Sequence, residues 1–178
     1  MQASNGPRVS IPMRSIPWGS SWPVLAGENE REPILGYLEA RFGIPGETFR
    51  DYLFFRTRDT WRMLRRSDHL IRVARLRVEV VGIRAFHEIG PYLKPTTRMV
   101  QVFGHAATRS RVELLAWELG HLVQGGEIAL EQALEDGYVI LCMNAQPLGV
   151  GLAIRGRLRS QIPKSETRFF LRKETPSL

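Results

Sequence analysis

The chain has 178 residues, 43% hydrophobic and 24% charged, which suits one domain or two small ones with a proper core and excludes global disorder. Its 25 basic residues, 22 Arg and 3 Lys, outnumber 18 acidic ones, and the resulting +7 points to a polyanionic partner such as RNA or DNA. A single cysteine, Cys142, excludes an internal disulfide framework and an all-cysteine metal cage. No apolar run reaches the roughly 20 residues of a membrane span. The first residues lack the charged-then-apolar pattern of a secretory signal, so a cytoplasmic protein without membrane contact is expected.

The charge is segregated. Residues 50–77 hold nine Arg against Asp51, Asp59 and Asp68, whereas residues 112–136 hold six carboxylates and no basic residue. Residues 137–178 are basic again, with seven Lys and Arg against Glu166 and Glu174. Such blocks form solvated faces in many proteins, and segregation of this kind is also what a polyanion footprint requires.

In chain order, residues 1–29 carry four prolines and no periodicity, and read as a flexible or loosely docked arm pinned to the domain surface by Trp18 and Trp22. The spacing of Ile34, Leu35, Leu38 and Phe42 predicts a helix over 30–42, with Pro33 in the first turn and Gly43 as its stop. A short helical piece around Glu47–Asp51 precedes two strands, 52–55 and 60–64. Ser67 or Asp68 caps a short helix through Ala74, and alternation then predicts a strand over 76–81. A turn at Gly90-Pro91 and Lys94-Pro95 separates the halves, and 98–103 reads as a strand. Ser110 and Glu113 match a capping box before a helix that carries Leu115, Leu119, Leu122 and Val123 and ends at Gly125-Gly126.

Residues 138–143 form a continuous apolar run, the mark of a strand covered on both faces. In the strand 148–154, alternation places Leu148, Val150, Leu152 and Ile154 on one face and Gly149, Gly151 and Ala153 on the other. Glycines two apart let something approach the backbone, either a neighbouring element or a ligand. An arginine-rich turn follows, with Arg155, Arg157 and Arg159 around Gly156, and suits phosphate.

No catalytic constellation is present in the sequence. Ile154 stands where a dinucleotide fingerprint needs its third glycine, and there is neither a phosphate-loop lysine nor a nucleophile elbow. None of His69, His87, His105 and His121 makes a metalloprotease pattern; Glu118 and His121 share a helix face, but two ligands make no closed metal site. Cys142 lies in an apolar run, as a buried small hydrophobe does. No cofactor and no catalytic or metal residue is assigned.

The stretches Gly137-Tyr138-Val139-Ile140-Leu141, Pro147-Leu148-Gly149-Val150-Gly151-Leu152 and Gly156-Arg157-Leu158-Arg159-Ser160-Gln161-Ile162-Pro163-Lys164 resemble the PUA-type RNA-binding domain attached to Nol/Nop/Sun-type RNA cytosine-5 methyltransferases. Lys94-Pro95-Thr96-Thr97 with Gln101-Val102-Phe103-Gly104 is similar to the entry strand of that domain, and Arg41-Phe42-Gly43-Ile44-Pro45 with Phe49 to the small segment before it. The layout, over about residues 31–173, also resembles stand-alone PUA ribosome-biogenesis factors. The resemblance implies an α+β protein: an arm (1–29), a small mixed α/β pre-PUA-like domain (30–93) and a PUA-like mixed β-barrel (94–178). It also implies an extended 111–114, with the helix delayed to about Leu115. The methyltransferases' catalytic domain has no counterpart in these residues, so the resemblance carries over RNA binding and not methylation.

The expected function is therefore non-catalytic binding of structured rRNA or tRNA, in ribosome assembly or beside an RNA-modifying methyltransferase. Lys94, Arg98, Arg155, Arg157, Arg159 and Lys164 are the expected phosphate contacts, with Gly149 and Gly151 allowing close approach. Arg56, Arg58, Arg62, Arg65 and Arg66 form a secondary basic patch, and Phe86 and Tyr92 are candidate stacking platforms. The alternatives are a protein-interaction module docking a catalytic subunit through the acidic 113–136 stretch, an RNA-directed enzyme using Glu118 and His121, and a DNA binder.

Overall fold

The computed structural model describes residues 15–90 and 92–171. Residues 1–14 of the expected arm, Pro91 of the expected turn and residues 172–178 lie outside the described residues. The fold is α+β: two five-stranded sheets with helices packed between and beside them.

Helix α1 spans Glu28–Phe42 and buries Ile34, Leu38 and Phe42 at successive turns. It starts earlier than expected because the Glu30 carboxylate accepts the Gly27 N–H at 3.0 Å. Pro33 consequently falls in the second turn rather than the first, at the cost of one backbone bond. Gly43, at φ 63°, ends the helix and donates to the Glu39 carbonyl at 2.9 Å. The Phe42 carbonyl in turn accepts from the N–H groups of Thr108 and Arg109, tying the helix end to the second half of the chain.

The first sheet is antiparallel in the order β1 (Val24–Leu25), β2 (Tyr52–Arg56), β3 (Thr60–Arg65), β4 (Ile83–Ile89), β5 (Tyr92–Pro95). The strand expected over 76–81 does not form; Leu76 and Val80 are exposed, and α2 (Leu70–Val73) runs into an irregular segment. Tertiary contacts capture that segment's polar groups instead. The Trp22 indole donates to the Leu76 carbonyl at 3.2 Å, and the Val78 N–H donates to Ser21 Oγ at 2.9 Å. Trp18 and Trp22 pack on Phe55, with Ile16 buried beside them, so residues 16–22 cover one end of this sheet.

β5 includes residues 93 and 94 and pairs with β4 along its length. The segment expected as a strand over 98–103 is helix α3 (Thr97–Phe103). Thr96 Oγ1 accepts the Met99 N–H at 3.2 Å, and Met99, Val100 and Phe103 form its buried face. The apolar residues there fit both periods, and the cap decides for the helix.

The second sheet runs β6 (Arg111–Glu113), β8 (Gly137–Met143), β9 (Gln146–Ile154), β10 (Arg157–Ser160), β7 (Glu127–Ala129), a curled half-barrel ending in β6 and β7. β6 and β8 are parallel and the other pairs antiparallel. The Ser110–Glu113 capping box is replaced by β6, and helix α4 begins at Ala116 (Ala116–Val123), capped by Glu118 Oε2 accepting the Leu115 N–H at 2.8 Å. The extended 111–114 implied by the resemblance is what forms. α5 spans Lys164–Leu171.

One core joins both sheets: Phe42, Phe49, Phe54 and Phe86 pack with Ile140, Cys142 and Val150 of β8 and β9. Cys142 is buried within it, and burial pushes its thiol above the usual range, as befits an inert hydrophobe.

Candidate nucleic-acid interface

The register of β3 on β4 positions the most basic surface of the first sheet. Thr60 pairs with His87 and Trp61 with Phe86, but Arg62 pairs with Arg84, so β4 accommodates Ala85 as an extra residue. This bulge brings Arg84 and His87, three residues apart, onto the same face as Thr60 and Arg62. His87 pairs with Lys94 on β5, which extends the row across the sheet. Arg62, Arg84, His87 and Lys94 thus stand on one face of three adjacent strands.

The row is anchored at both ends. Arg62 Nε donates to the Val81 carbonyl at 2.5 Å and its Nη2 to Gly82 at 3.2 Å. Lys94 Nζ donates to Gln161 Oε1 at 2.8 Å, in the link between β10 and α5, so the row abuts the second sheet. The cations press on one another. Burial, then Arg84, lowers the Arg62 guanidinium's proton affinity. Burial, then Arg84, with a further push from Lys94, holds the His87 imidazole below its usual range, and Asp59 partly opposes this. Burial lowers Lys94 as well. A negative charge beside the row would favour the charged form of all three groups and so oppose these shifts.

The β9–β10 hairpin carries the second basic group. Its turn is Arg155-Gly156, at φ 50° and 72°, and the Arg155 N–H donates to Asp136 Oδ1 at 2.7 Å. Arg157 and Arg159 point to the same side of β10, exposed, and share the Glu127 carboxylate of β7. Exposed pairs of this kind are weak, so both guanidinium groups remain open to exchange onto phosphate. Arg98 is exposed on α3 and Lys164 on α5. The start of α3 and the β10–α5 link meet over Gly149, where Thr97 and Ile162 both close in.

Several expected contacts fall elsewhere. Gly149 and Gly151 are buried, and the space a side chain would take at Gly151 belongs to Leu141, Leu158 and Val139, at 2.7 to 3.1 Å. Their bare face receives the protein's own core, not a ligand backbone. The secondary patch does not form one surface. Arg56 lies on the opposite face from Arg62, over the Trp61 ring at 5.4 Å and paired with Glu30 and Glu88. Arg58, Arg65 and Arg66 are exposed around the β2–β3 hairpin and beyond its end. Phe86 is fully buried and unavailable for stacking, whereas Tyr92 is 67% exposed.

The acidic stretch is largely spent inside the fold. Glu113 accepts the Ala145 N–H, Glu118 caps α4, Glu127 holds the two arginines, Glu135 pairs with Arg41, and Asp136 takes the Arg155 N–H. The His121 ring packs against Gly126, so Glu118 and His121 both have structural roles. Among the described residues no three His, Cys, Asp or Glu side chains gather as a metal site, and no helix is long and apolar enough to cross a membrane.

Arg84, His87 and Gln161 were not foreseen from the sequence. The adjacent apolar pair Ala85-Phe86 breaks the alternation of β4, and that break is the bulge itself; read as a bulge, it would have shown Arg84 and His87 on one face.

Residues 109–168, β6 to the first half of α5, match the family model described as the Methyltransferase RsmF PUA domain. The chain is 25% identical over 139 residues to the ribosomal RNA small subunit methyltransferase F of Aeromonas hydrophila subsp. hydrophila, covering 78% of this chain and 28% of that protein. It is 27% identical over 143 residues to the protein of the same name from Aeromonas salmonicida, again covering 78% and 28%. The chain thus spans little more than a quarter of the length of these curated relatives. Both alignments are longer than the 109–168 match and so extend into the first half of the chain.

Proposed function

We propose that this chain, whose residues 109–168 form a PUA-type domain of the RsmF methyltransferase kind, is a non-catalytic binder of structured RNA. The relatives' names make rRNA the first candidate, with tRNA the second, and a role in ribosome assembly or beside an RNA methyltransferase in the cytoplasm. The observation that carries the reading is the bulged register of β4, which sets Arg84 and His87 between Arg62 and Lys94 and runs the row up to Gln161. Arg62, Arg84 and Lys94 set cations on three adjacent strands, with the His87 imidazole among them, an arrangement that tracks a phosphate backbone, and the Arg155–Arg159 hairpin supplies bidentate forks on the second sheet. The reading as a holder of RNA is supported by Cys142, the single thiol, being buried with its proton affinity raised.

The test is a salt titration of binding to an RNA stem–loop, a DNA of matched sequence and a single strand. Arg84→Gln, and separately Arg157→Gln with Arg159→Gln, should each weaken RNA binding and flatten the plot of log affinity against log salt by about 0.7–0.9 for each phosphate no longer neutralised. Tighter binding of the RNA fold than of DNA is expected. Unchanged slopes in both variants, or equal weak binding of all three polymers, would overturn the proposal.

A further inference from the structure

Helix α2 and the irregular segment after it lie on the same face of the first sheet as the basic row. Leu70, Ala74 and Val81 are buried there with Leu53 and Phe55 of β2, and Leu64 of β3 packs against them. Phe55 pairs with Arg62 and Leu53 with Leu64, so this cluster and Arg62 share one side of the hairpin. Arg62 also donates to the carbonyls of Val81 and Gly82, which joins the end of the segment to the start of the row. We infer that residues 71–80 continue the RNA face and hold an unpaired strand that runs on from the structured element, an inference that rests on the RNA-binding reading above.

Charge, and its availability, carry the choice of occupant. Residues 70–81 hold Arg72, Arg75 and Arg77 against one acid, Glu79. The three arginines are exposed, and none has a hydrogen bond or ion pair among the described residues; Glu79 is unpaired as well. Elsewhere in the first half of the chain, Arg31, Arg41, Arg50 and Arg56 spend their guanidinium groups on the chain's own carbonyls and carboxylates. Open forks at Arg72, Arg75 and Arg77 suit the phosphates of a passing strand.

The apolar side chains decide for an unpaired strand. Ile71, Leu76 and Val80 stand 39%, 58% and 69% exposed among these arginines. A duplex keeps its base faces stacked inside and would leave these side chains in water. An unpaired strand offers base faces for them to cover. The platform is also held in place. The Gly19 N–H donates to the Ala74 carbonyl at 2.7 Å, the Trp22 indole to the Leu76 carbonyl at 3.2 Å, and the Val78 N–H to Ser21 Oγ at 2.9 Å. Residues 19–22 thus fasten an irregular backbone at three points and leave Arg75, Leu76 and Arg77 exposed.

The experiment uses the full chain and the RNA stem–loop, blunt or carrying an unpaired tail of about eight nucleotides at one end or the other. The chain should bind a tailed form about tenfold more tightly than the blunt form. Its salt slope on that form should be steeper by about 2, from three further phosphates at roughly 0.7 each. The quantity compared between variants is the ratio of tailed to blunt affinity, which a loss of folded protein leaves unchanged. Arg72→Gln, Arg75→Gln and Arg77→Gln together should bring that ratio close to one and remove the extra slope. Leu76→Ser with Val80→Ser should lower the ratio and keep the extra slope, which separates contact with bases from attraction of phosphates. A tail that adds nothing, or an unchanged ratio in either variant, overturns the inference, while the blunt stem–loop and Arg84→Gln still report on the RNA reading. Anionic phospholipid vesicles that bind the chain but not the Leu76→Ser, Val80→Ser variant, with no gain from a tail, also overturn it and make the segment a membrane contact.

Discussion

On one face of the first sheet, Trp61 and Phe86 are buried with Ile34 and Leu38 of α1, and Glu88 accepts the Trp61 indole N–H at 2.8 Å. On the other face, the same two strands present Arg62, Arg84 and His87. The difference arises from one inserted residue. Were Ala85 accommodated in regular pairing rather than as a bulge, strict alternation along β4 would place Arg84 and His87, three residues apart, on opposite faces, one of them among the aromatic side chains. Conserving stability and gathering charge are thus separable tasks of adjacent residues, and substitutions can tell them apart.

The largest effect belongs to the buried face. Trp61→Ala should cost about 3–5 kcal/mol in chemical denaturation, while the RNA salt slope of the folded variant stays unchanged. A flattened slope there would show that the two faces are not independent. Gly151→Val comes next. Its side chain would meet Leu141, Leu158 and Val139, so overpacking should cost roughly 1–3 kcal/mol by the same measurement, with RNA binding affected only through stability.

His87 sharpens the comparison through pH. Its folded-state proton affinity is lowered, so the unfolded chain binds more protons as pH falls below the ordinary histidine range. Free protein should therefore lose some stability as pH drops from the unfolded value through the folded one. Bound phosphate reverses the preference, because the protonated imidazole between Arg84 and Lys94 then has an anion to face, with Asp59 the acid beside it. RNA affinity should rise over the same window, and His87→Gln should remove the rise in a titration at constant ionic strength. The smallest effect is expected at the second sheet. Glu127→Gln should change stability by less than about 1 kcal/mol, because its pairs with Arg157 and Arg159 are exposed on the arginine side, and should tighten RNA binding by freeing both.

The helix carrying Ile34, Leu38 and Phe42, the hairpin of β2 and β3, and the β8–β9 pair follow from local pattern: a stripe at helical spacing in the first, and in β2 and β8 short continuous apolar runs that are buried on both faces. The exposed hairpin arginines also follow, because a turn with two positive φ angles leaves little choice of where Arg157 and Arg159 point. By contrast, residues 76–81 alternate like a strand yet are held irregular by Trp22 and Ser21, more than fifty residues upstream. Residues 97–103 have strand-like composition, but the Thr96 cap makes them helical.

The sequence by itself determined the mixture of helices and strands, the basic balance and the glycine-bearing strand, because these depend on composition and on contacts close along the chain. Tertiary structure alone decided what fills the space over Gly149 and Gly151, and which arginines share a face. Both depend on register between strands, and a single bulged residue in β4 changes that register for every side chain beyond it.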